Sequence, residues 1–550
     1  MKKSIISLSL GALMMAATGC ASDYLDQTSV GANVDDSVIF ESLDNVKMAV
    51  NGIGLLMTQQ YNGTQGMNGE GTLLTWWNEY TGQDYIKNGL TGWATVMNLT
   101  YVERPTSAYN YYAWHYCYQQ IVNANRILDK IDDVPGNEDE RNLYKAQALV
   151  YRAQAYLNLV KFYSRRWSDR QGESRGVVLR LEPTTDEMPA SSLKTVYAQI
   201  YEDLDLAIQL FTTSKQAGYD RDDVYLPNLD VAYAVYSRAA LNREDWSTAL
   251  TMAENAMKNY SIMGIDEYTS GFNTANKEWI WEAYNDASQT IFYYGFFCYN
   301  SSSSSSSSSR SNPPSISREL INQIPESDSR RELFAIPTED EITEFNSISG
   351  KGFNASTYEV TKGQFYDRIM SEKKDKLYYD SSKKQITTKI FPYMAFKYIP
   401  SASSAGDGEL CLYRKAEMLY NAAEAAYMLN QTGKAQNYLA DAVEPYQAGY
   451  SCNKTGEDLL NEIKLYRRFD LFAEGFSWND CKRWGIPMVR HTWAEGGNYP
   501  LQMAGVATVS TNGNYGVTDR NNWTYCYPNR ETDYNSLVTT YEADNWTEGM

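Results

Sequence analysis

Residues 145–163 read KAQALVYRAQAYLNLVKFY, and no other stretch of the chain indicates its fold class so clearly. Apolar side chains recur in this stretch at spacings of three and four residues. Such a spacing places them on one face of an α-helix. The sequence therefore predicts a long helix over 145–163 with this apolar face: Leu149, Ala153, Tyr156, Leu157 and Val160.

Similar patterns recur along the chain and predict further helices over 42–60, 111–131 and 191–208. Segments 230–259 and 413–443 can also be laid over one another. Small residues at matching positions would let antiparallel helices pack closely, as in the tetratricopeptide helix pair. Alternatively, any two alanine-rich hairpins would align equally well. The coinciding pairs are Ala240 with Ala426, Ala249 with Ala435, and Ala256 with Ala442.

The N-terminus has the form of a bacterial lipoprotein signal. Lys2 and Lys3 precede a short apolar run, and small residues lead directly to Cys20. This order predicts that residues 1–19 are a cleaved signal peptide and that Cys20 carries the lipid anchor. The apolar run is shorter than the roughly 20 residues that span a bilayer. The alternative is an ordinary secretory signal followed by a chance cysteine.

Composition excludes several classes of function. The chain of 550 residues has 68 acidic and 49 basic side chains, a net charge of −19, which disfavours binding to nucleic acid. Only two histidines are present, so a histidine-rich metal site is not expected, and no cofactor motif is found. Six further cysteines are widely scattered, and we expect mostly buried free thiols: Cys117, Cys298, Cys411, Cys452, Cys481 and Cys526.

Aromatic residues are unusually frequent, with 45 Tyr, 13 Trp and 16 Phe. Exposed Tyr and Trp rings match the flat C–H faces and hydroxyl edges of sugars, so an acidic chain rich in both indicates glycan binding. The alternative for any single ring is packing in the core.

We expect a lipidated tether over 20–36 and one domain over 37–550. Helical repeats are predicted at about 42–60, 111–260 and 410–445, and loop-rich insertions at about 61–110, 262–408 and 486–550. A run of nine serines, 301–309, has no apolar group to bury and predicts a mobile surface loop.

Several motifs, in order, resemble the SusD/RagB-like outer-membrane nutrient-uptake lipoproteins. Cys20 is followed by DYLD at 23–26, and NANRIL follows at 123–128. The helix at 146–163, the segment YRKAEMLYNAAEA at 413–425 and LYRRFDLFAEGFSWNDCKRWG at 465–485 complete the set. Ser477 stands where the family usually has Arg, and Cys526 replaces a proline of its C-terminal motif.

The resemblance implies an all-α fold of four tetratricopeptide-like helix pairs with a loop-rich, irregular second part. It implies no catalysis. Such a protein captures oligosaccharide or polysaccharide at the cell surface, anchored to the outer membrane by lipid, and passes it to a SusC-like TonB-dependent barrel transporter. The alternatives are a lipoprotein that binds peptides or only its partner, without sugar, and a glycosidase, which needs two carboxylates about 5–10 Å apart.

Family members place the sugar site in the loops after the first helix and in the middle insertion. The rings expected to stack on sugar here are Trp76, Trp77, Trp93, Tyr293, Tyr294 and Tyr299, and the side chains expected to bond hydroxyls are Asn78, Asp84 and Arg310. Arg152, Arg414 and Glu417 are interpreted instead as partners in buried ion pairs that hold helices together. Residues 220–223 (DRDD) could hold Ca²⁺, although a solvated loop is the stronger expectation.

Overall fold

The computed structural model describes residues 36–59, 67–89, 96–97, 99–214, 224–284, 295–401, 406–502 and 523–549. The predicted signal peptide, Cys20 and residues 20–35 of the tether therefore lie outside the described residues, as do residues 220–223.

Helices dominate the described chain. The α-helices are α1 Asp36–Ile39, α2 Leu43–Leu56, α3 Gly69–Thr72, α4 Ala108–Lys130, α5 Glu138–Tyr163, α6 Trp167–Arg170, α7 Leu193–Thr213, α8 Leu229–Asn242, α9 Trp246–Ala256, α10 Ile265–Tyr268, α11 Phe296–Asn300, α12 Ser307–Ser311, α13 Arg318–Ile321, α14 Glu339–Ser347, α15 Gln364–Glu372, α16 Lys415–Met428, α17 Thr432–Val443, α18 Gly456–Asp470, α19 Ser477–Trp484 and α20 Asn529–Thr532. Leu73–Glu79 forms a π-helix, and 3₁₀ turns lie at Ile131–Asp133, Ser329–Leu333, Lys374–Lys376 and Trp493–Glu495.

Strands are short and form two-stranded antiparallel sheets only, within the ranges given above. They are β1 Tyr85–Lys87 with β5 Pro314–Ile316, β2 Arg175–Val178 with β3 Ala190–Ser192, β4 Trp279–Ala283 with β8 Leu410–Arg414, and β6 Tyr379–Asp380 with β7 Gln385–Ile386. Among the helices that the structure describes, none is both long enough and apolar enough to cross a membrane.

The predicted helix over 145–163 is confirmed as the second half of α5, which lies at the centre of the core. Asn137 caps its start by accepting hydrogen bonds from the N–H groups of Asp139 and Glu140. Every residue from 146 to 163 is buried, so the helix is enclosed on all sides rather than on one face. It packs against α4 and α7.

The two superimposable segments are confirmed as helical hairpins, α8–α9 and α16–α17, which pack on one another through α9 and α16. The same superposition pairs Glu244 with Asn430, and both adopt a left-handed backbone, with φ of 62° and 59°. Asn tolerates this conformation, whereas Glu does so at a cost that the hairpin's packing offsets. Ala249 and Ala435 are fully buried at the matching contacts.

The three ionic residues predicted to form buried ion pairs do so. Arg152 of α5 donates from Nε to Asp203 Oδ2 of α7 at 2.8 Å. Arg238 of α8 forms a two-pronged pair with Glu417 of α16, with both distances 2.7 Å, and so ties the two hairpins together. Arg414 is buried among carboxylates at the end of β8.

The expectation of a mobile surface loop at the nine serines is wrong. Ser301, Ser302, Ser304, Ser306 and Ser309 are buried, and α12 begins within the run. A run without apolar groups can be buried because its hydroxyls bond the backbone. The hydroxyl of Ser302 donates to the carbonyl of Ala395 at 2.8 Å, and the Thr388 hydroxyl donates to the carbonyl of Ser302 at 3.0 Å.

All six cysteines that lie within the described residues are buried and free, as expected.

The π-helix ends in a carboxyl group, Glu79, that is buried against the turn before α19. The N–H groups of Gly475 and Phe476 donate to its Oε1 at 2.7 and 3.0 Å. Burial raises the pKa of Glu79 to about 8 against the lowering effect of these two hydrogen bonds. The folded state therefore keeps Glu79 protonated at pH values where the unfolded chain has released the proton.

We predict that replacing one partner of the Arg238–Glu417 pair lowers the free energy of unfolding far more than replacing both partners. Arg238→Met leaves a carboxylate buried without its partner and should lower the free energy of unfolding by about 3–5 kcal/mol. Arg238→Met with Glu417→Leu should recover most of that loss in urea denaturation. Arg126→Met, which breaks the more exposed pair with Asp36, should cost less than about 1 kcal/mol. Additive losses in the double variant would contradict the prediction.

We also predict that Glu79 makes stability fall as pH rises. The pKa of Glu79 is higher in the folded state than in the unfolded chain. Its favourable contribution to the free energy of unfolding is therefore complete below about pH 4.5 and is lost as the pH rises towards 8, by up to about 1.4 kcal/mol per pH unit. Glu79→Gln cannot titrate, so its melting temperature relative to the native protein should rise between pH 5 and 8.5. Glu138→Gln, at an exposed carboxylate, serves as the control. A pH-independent difference for Glu79→Gln would overturn the assignment.

Candidate functional site

The three consecutive residues predicted at the site, Trp76, Trp77 and Asn78, lie in the π-helix. Their exposed fractions are 0%, 2% and 1%, so the expectation that these side chains face water is wrong. The π-helix runs into the interior, where Trp77 packs against Tyr112 and stacks on Tyr525. A π-helix inside a protein is rare and often lies near a functional site.

The predicted polar contacts are engaged within the fold. Asp84 is buried, and both its oxygens accept hydrogen bonds from Arg468, at 2.9 and 2.6 Å. Arg310 is half-buried and donates to the carbonyl of Ser305 at 3.0 Å and to the hydroxyl of Thr387 at 3.2 Å. Asp84 is therefore committed to an ion pair, whereas the half-buried Arg310 keeps further N–H donors beyond these two hydrogen bonds. Trp93, Tyr293 and Tyr294 lie outside the described residues.

Two of the predicted rings, Trp76 and Tyr299, belong to a row of four aromatic rings that extends from the core to the surface. We call this row the aromatic ladder: Tyr299, Trp76, Tyr109 and Tyr101. Tyr299, 2% exposed, meets Trp76 edge-on with ring centroids 5.6 Å apart. Trp76 lies 5.6 Å from Tyr109, which lies 4.6 Å from Tyr101. Tyr101 and Tyr109 are only half-buried, so the ladder ends in rings that a ligand can reach.

Sequence reasoning missed Tyr101 and Tyr109, although both fall inside the loop-rich stretch 61–110. Tyr109 is in the first turn of α4, and Tyr101 lies in the turns that lead to it. Burial, and then the neighbouring Tyr101, raise the pKa of Tyr109 to about 12. The exposed Arg104 lies beside them, 6.0 Å from the centre of the Tyr101 ring.

The floor beneath the ladder is fixed by buried polar contacts. Tyr85 of β1 donates its hydroxyl to Asn300 Oδ1 at 2.7 Å, and Asn300 Nδ2 donates to the Thr75 hydroxyl at 2.9 Å. Lys87 Nζ donates to the carbonyls of Tyr299 and Asn312. Burial lowers the pKa of Lys87 well below its ordinary value. The π-helix, β1 and α11 therefore form one rigid support.

A second pair of rings borders a small cleft at the end of β4. Tyr225 and Tyr284 lie 5.7 Å apart, and Tyr284 is 43% exposed. The cleft has a volume of about 140 Å³, and Tyr151 and Glu282 line it. The Tyr151 hydroxyl has no hydrogen-bond partner among the described residues. Aromatic rings with a few polar groups beside them are typical of sites that bind small molecules.

Comparisons with known proteins agree with this architecture. A family model described as "starch-binding associating with outer membrane" matches residues 26–241, and the model of the SusD family matches residues 254–546. None of the curated proteins matches the chain.

Solved structures share the fold at low sequence identity. A SusD-like carbohydrate binding protein from Bacteroides vulgatus is 24% identical, with a TM-score of 0.66 over 82% of this chain and 85% of that one. A SusD superfamily protein from Bacteroides thetaiotaomicron is 19% identical, with a TM-score of 0.67 over 90% and 99%. Another from Bacteroides vulgatus is 17% identical, with a TM-score of 0.68 over 92% and 100%. With its second half matched by the family model and its helix pairs in place, the chain belongs to the SusD family.

Proposed function

We propose that this protein is a cell-surface lipoprotein, held in the outer membrane through Cys20, that captures oligosaccharide and delivers it to a SusC-like TonB-dependent transporter. It acts by binding and not by catalysis. The family match, with its description as starch-binding and outer-membrane associating, supports the glycan and the location. The lipoprotein signal that ends at Cys20 supports the anchor.

The observation that carries the proposal is the ladder that ends at Tyr101 and Tyr109. A sugar that stacks on these two rings meets side chains whose positions are fixed from below by Trp76 and Tyr299. Preorganised rings lose little conformational entropy on binding, which favours affinity without a deep pocket. The cleft beside Tyr284 offers a second contact for the same chain of sugars.

The expected affinity is modest. Each ring contact contributes about 0.5–1.5 kcal/mol beyond its burial, and the cost of association is subtracted from the sum. Such weak binding suits a protein that must release its ligand to a transporter. Trp93, Tyr293 and Tyr294 remain predicted contacts. Trp76, Trp77, Asn78, Asp84, Tyr299 and Arg310 are proposed as the support beneath the contact surface.

We predict that the ladder's outer rings are required for glycan binding. A panel of host and plant oligosaccharides screened by calorimetry or affinity electrophoresis should identify a ligand. Tyr101→Ala and Tyr109→Ala should each weaken its binding by about 2- to 12-fold. Tyr379→Ala, which removes an exposed ring on β6, should leave the affinity unchanged.

If a Tyr101→Ala/Tyr109→Ala double variant kept its affinity for the glycan, the binding site would have to lie elsewhere on the protein. Absence of binding to any glycan, together with co-purification of a barrel transporter, would favour the alternative of a lipoprotein that binds only its partner.

We predict that Cys20 is the site of lipidation. In bacterial cells supplied with labelled palmitate, the native protein should carry label and sediment with membranes, because acyl chains are its anchor. Cys20→Ser should carry no label and leave the membrane fraction. Cys452→Ser, at a buried thiol of the folded domain, should behave as the native protein does. Membrane retention of unlabelled Cys20→Ser would rule out the lipid anchor.

A further inference from the structure

A groove on the side of α4 away from the ladder is not used by the proposed function. Tyr109 and Tyr111 are two residues apart, about 200° around the helix axis, so Tyr111 faces another part of the molecule. The groove lies between α4, the segment after β2 and α20, and its volume is about 210 Å³. The side chains that line it include Tyr111, His115, Tyr118, Arg180, Glu182 and Arg530.

One wall of the groove consists of rings held in fixed positions. Tyr111 and His115 stack with centroids 5.1 Å apart and an interplanar angle of 29°, and their Oη and Nδ1 atoms are 3.0 Å apart. Tyr118 follows on the same face of α4 and donates its hydroxyl to the carbonyl of Val178 at 2.6 Å. These contacts leave ring surface for a ligand while fixing the orientation of each ring.

Some of the charged side chains in the groove have partners of opposite charge within the fold, and others do not. Arg180 donates to the carbonyl of Asp186 at 2.7 Å and lies 3.7 Å from Glu531, and Glu531 also accepts from Trp114 Nε1 at 3.2 Å. Both of these ions therefore have partners within the fold.

Arg530 differs from Arg180. It is exposed, and its guanidinium lies 4.8 Å from the centre of the Tyr111 ring. In the part of the chain that the structure describes, it has no acidic side chain within 4 Å. Burial, and then the positive charge of Arg530, lower the pKa of His115. Arg530 is consequently the cation available to an incoming anion.

We propose that this groove binds a hexuronate, the carboxylated ring of an acidic glycan. The sugar ring packs along the exposed edges of Tyr111 and Tyr118, which are both half-buried, and its carboxylate pairs with the Arg530 guanidinium. A carboxylate fits this planar fork with two parallel hydrogen bonds. Glu182, on the rim, accepts from a sugar hydroxyl. The volume is below the roughly 300–1,000 Å³ of sites for drug-sized ligands, so the groove takes one ring and not a chain.

The proposal does not depend on the ladder, because no ring of the groove belongs to it. A glycan could bind at Tyr101 and Tyr109 whether or not the groove takes a uronate. Variants of the two surfaces therefore separate the two proposals.

The test uses D-galacturonate and D-galactose, which differ by one carboxylate. Saturation-transfer NMR titration of the full chain should give galacturonate the tighter binding. Arg530→Gln should weaken galacturonate binding about tenfold, equivalent to about 1.4 kcal/mol. Arg126→Gln removes an arginine of α4 that does not line the groove and pairs with Asp36, and it should have no effect. Tyr109→Ala should also retain binding.

Equal binding of galactose, unchanged affinity in Arg530→Gln, or no binding of galacturonate would each overturn the proposal. Unchanged thermal unfolding of Arg530→Gln ensures that any loss reflects the missing guanidinium and not a disrupted fold.

Discussion

The fold depends on one guanidinium, that of Arg414, which is 1% exposed at the junction of β8 and α16. It bonds Glu278 next to β4, Asp470 at the end of α18 and Glu474 in the turn that follows. Burial alone would raise the pKa of Asp470, but Arg414 and Arg330 outweigh it and bring the pKa to about 2. A buried charge is tolerated only when paired, so the segments that supply these carboxylates must close around Arg414 together.

Polar groups serve the same purpose elsewhere in the interior. The serine run, Asn300 and Lys87 all bond main-chain or side-chain groups of distant segments, and so hold an irregular region in one conformation. This explains how a stretch with short helices and short strands supports the aromatic ladder as firmly as the long helices support one another. The rings of the ladder provide the contact area for a ligand, and the polar contacts beneath them hold the rings in position.

Helices with a repeated apolar pattern could be predicted from the sequence, because the spacing of apolar residues determines which of them share a face. This was the case for α5 and for both hairpins. The buried ion pairs of Arg152, Arg414 and Glu417 could also be predicted, because a charged side chain within a buried apolar segment needs a partner of opposite charge. The burial of Trp76, Trp77 and Tyr299 could not be predicted, since the π-helix and α11 that hold them are only seven and five residues long and show no repeated pattern that distinguishes a buried face from an exposed one. Tyr101 was missed because it lies in turns, and Tyr109 was missed because the predicted helix began at residue 111, two residues after it.

The six buried thiols of the described residues have a consequence for the biogenesis of the chain under the proposed function, in which the chain is exported. Burial raises the pKa of Cys117, Cys411 and Cys481, so the finished protein resists oxidation at these positions. During secretion, however, the unfolded polypeptide presents all of them to an oxidising compartment. Native packing must then be completed faster than oxidases can join these residues wrongly. We therefore expect the rate of folding, as well as the stability of the folded protein, to affect the yield of correctly folded protein.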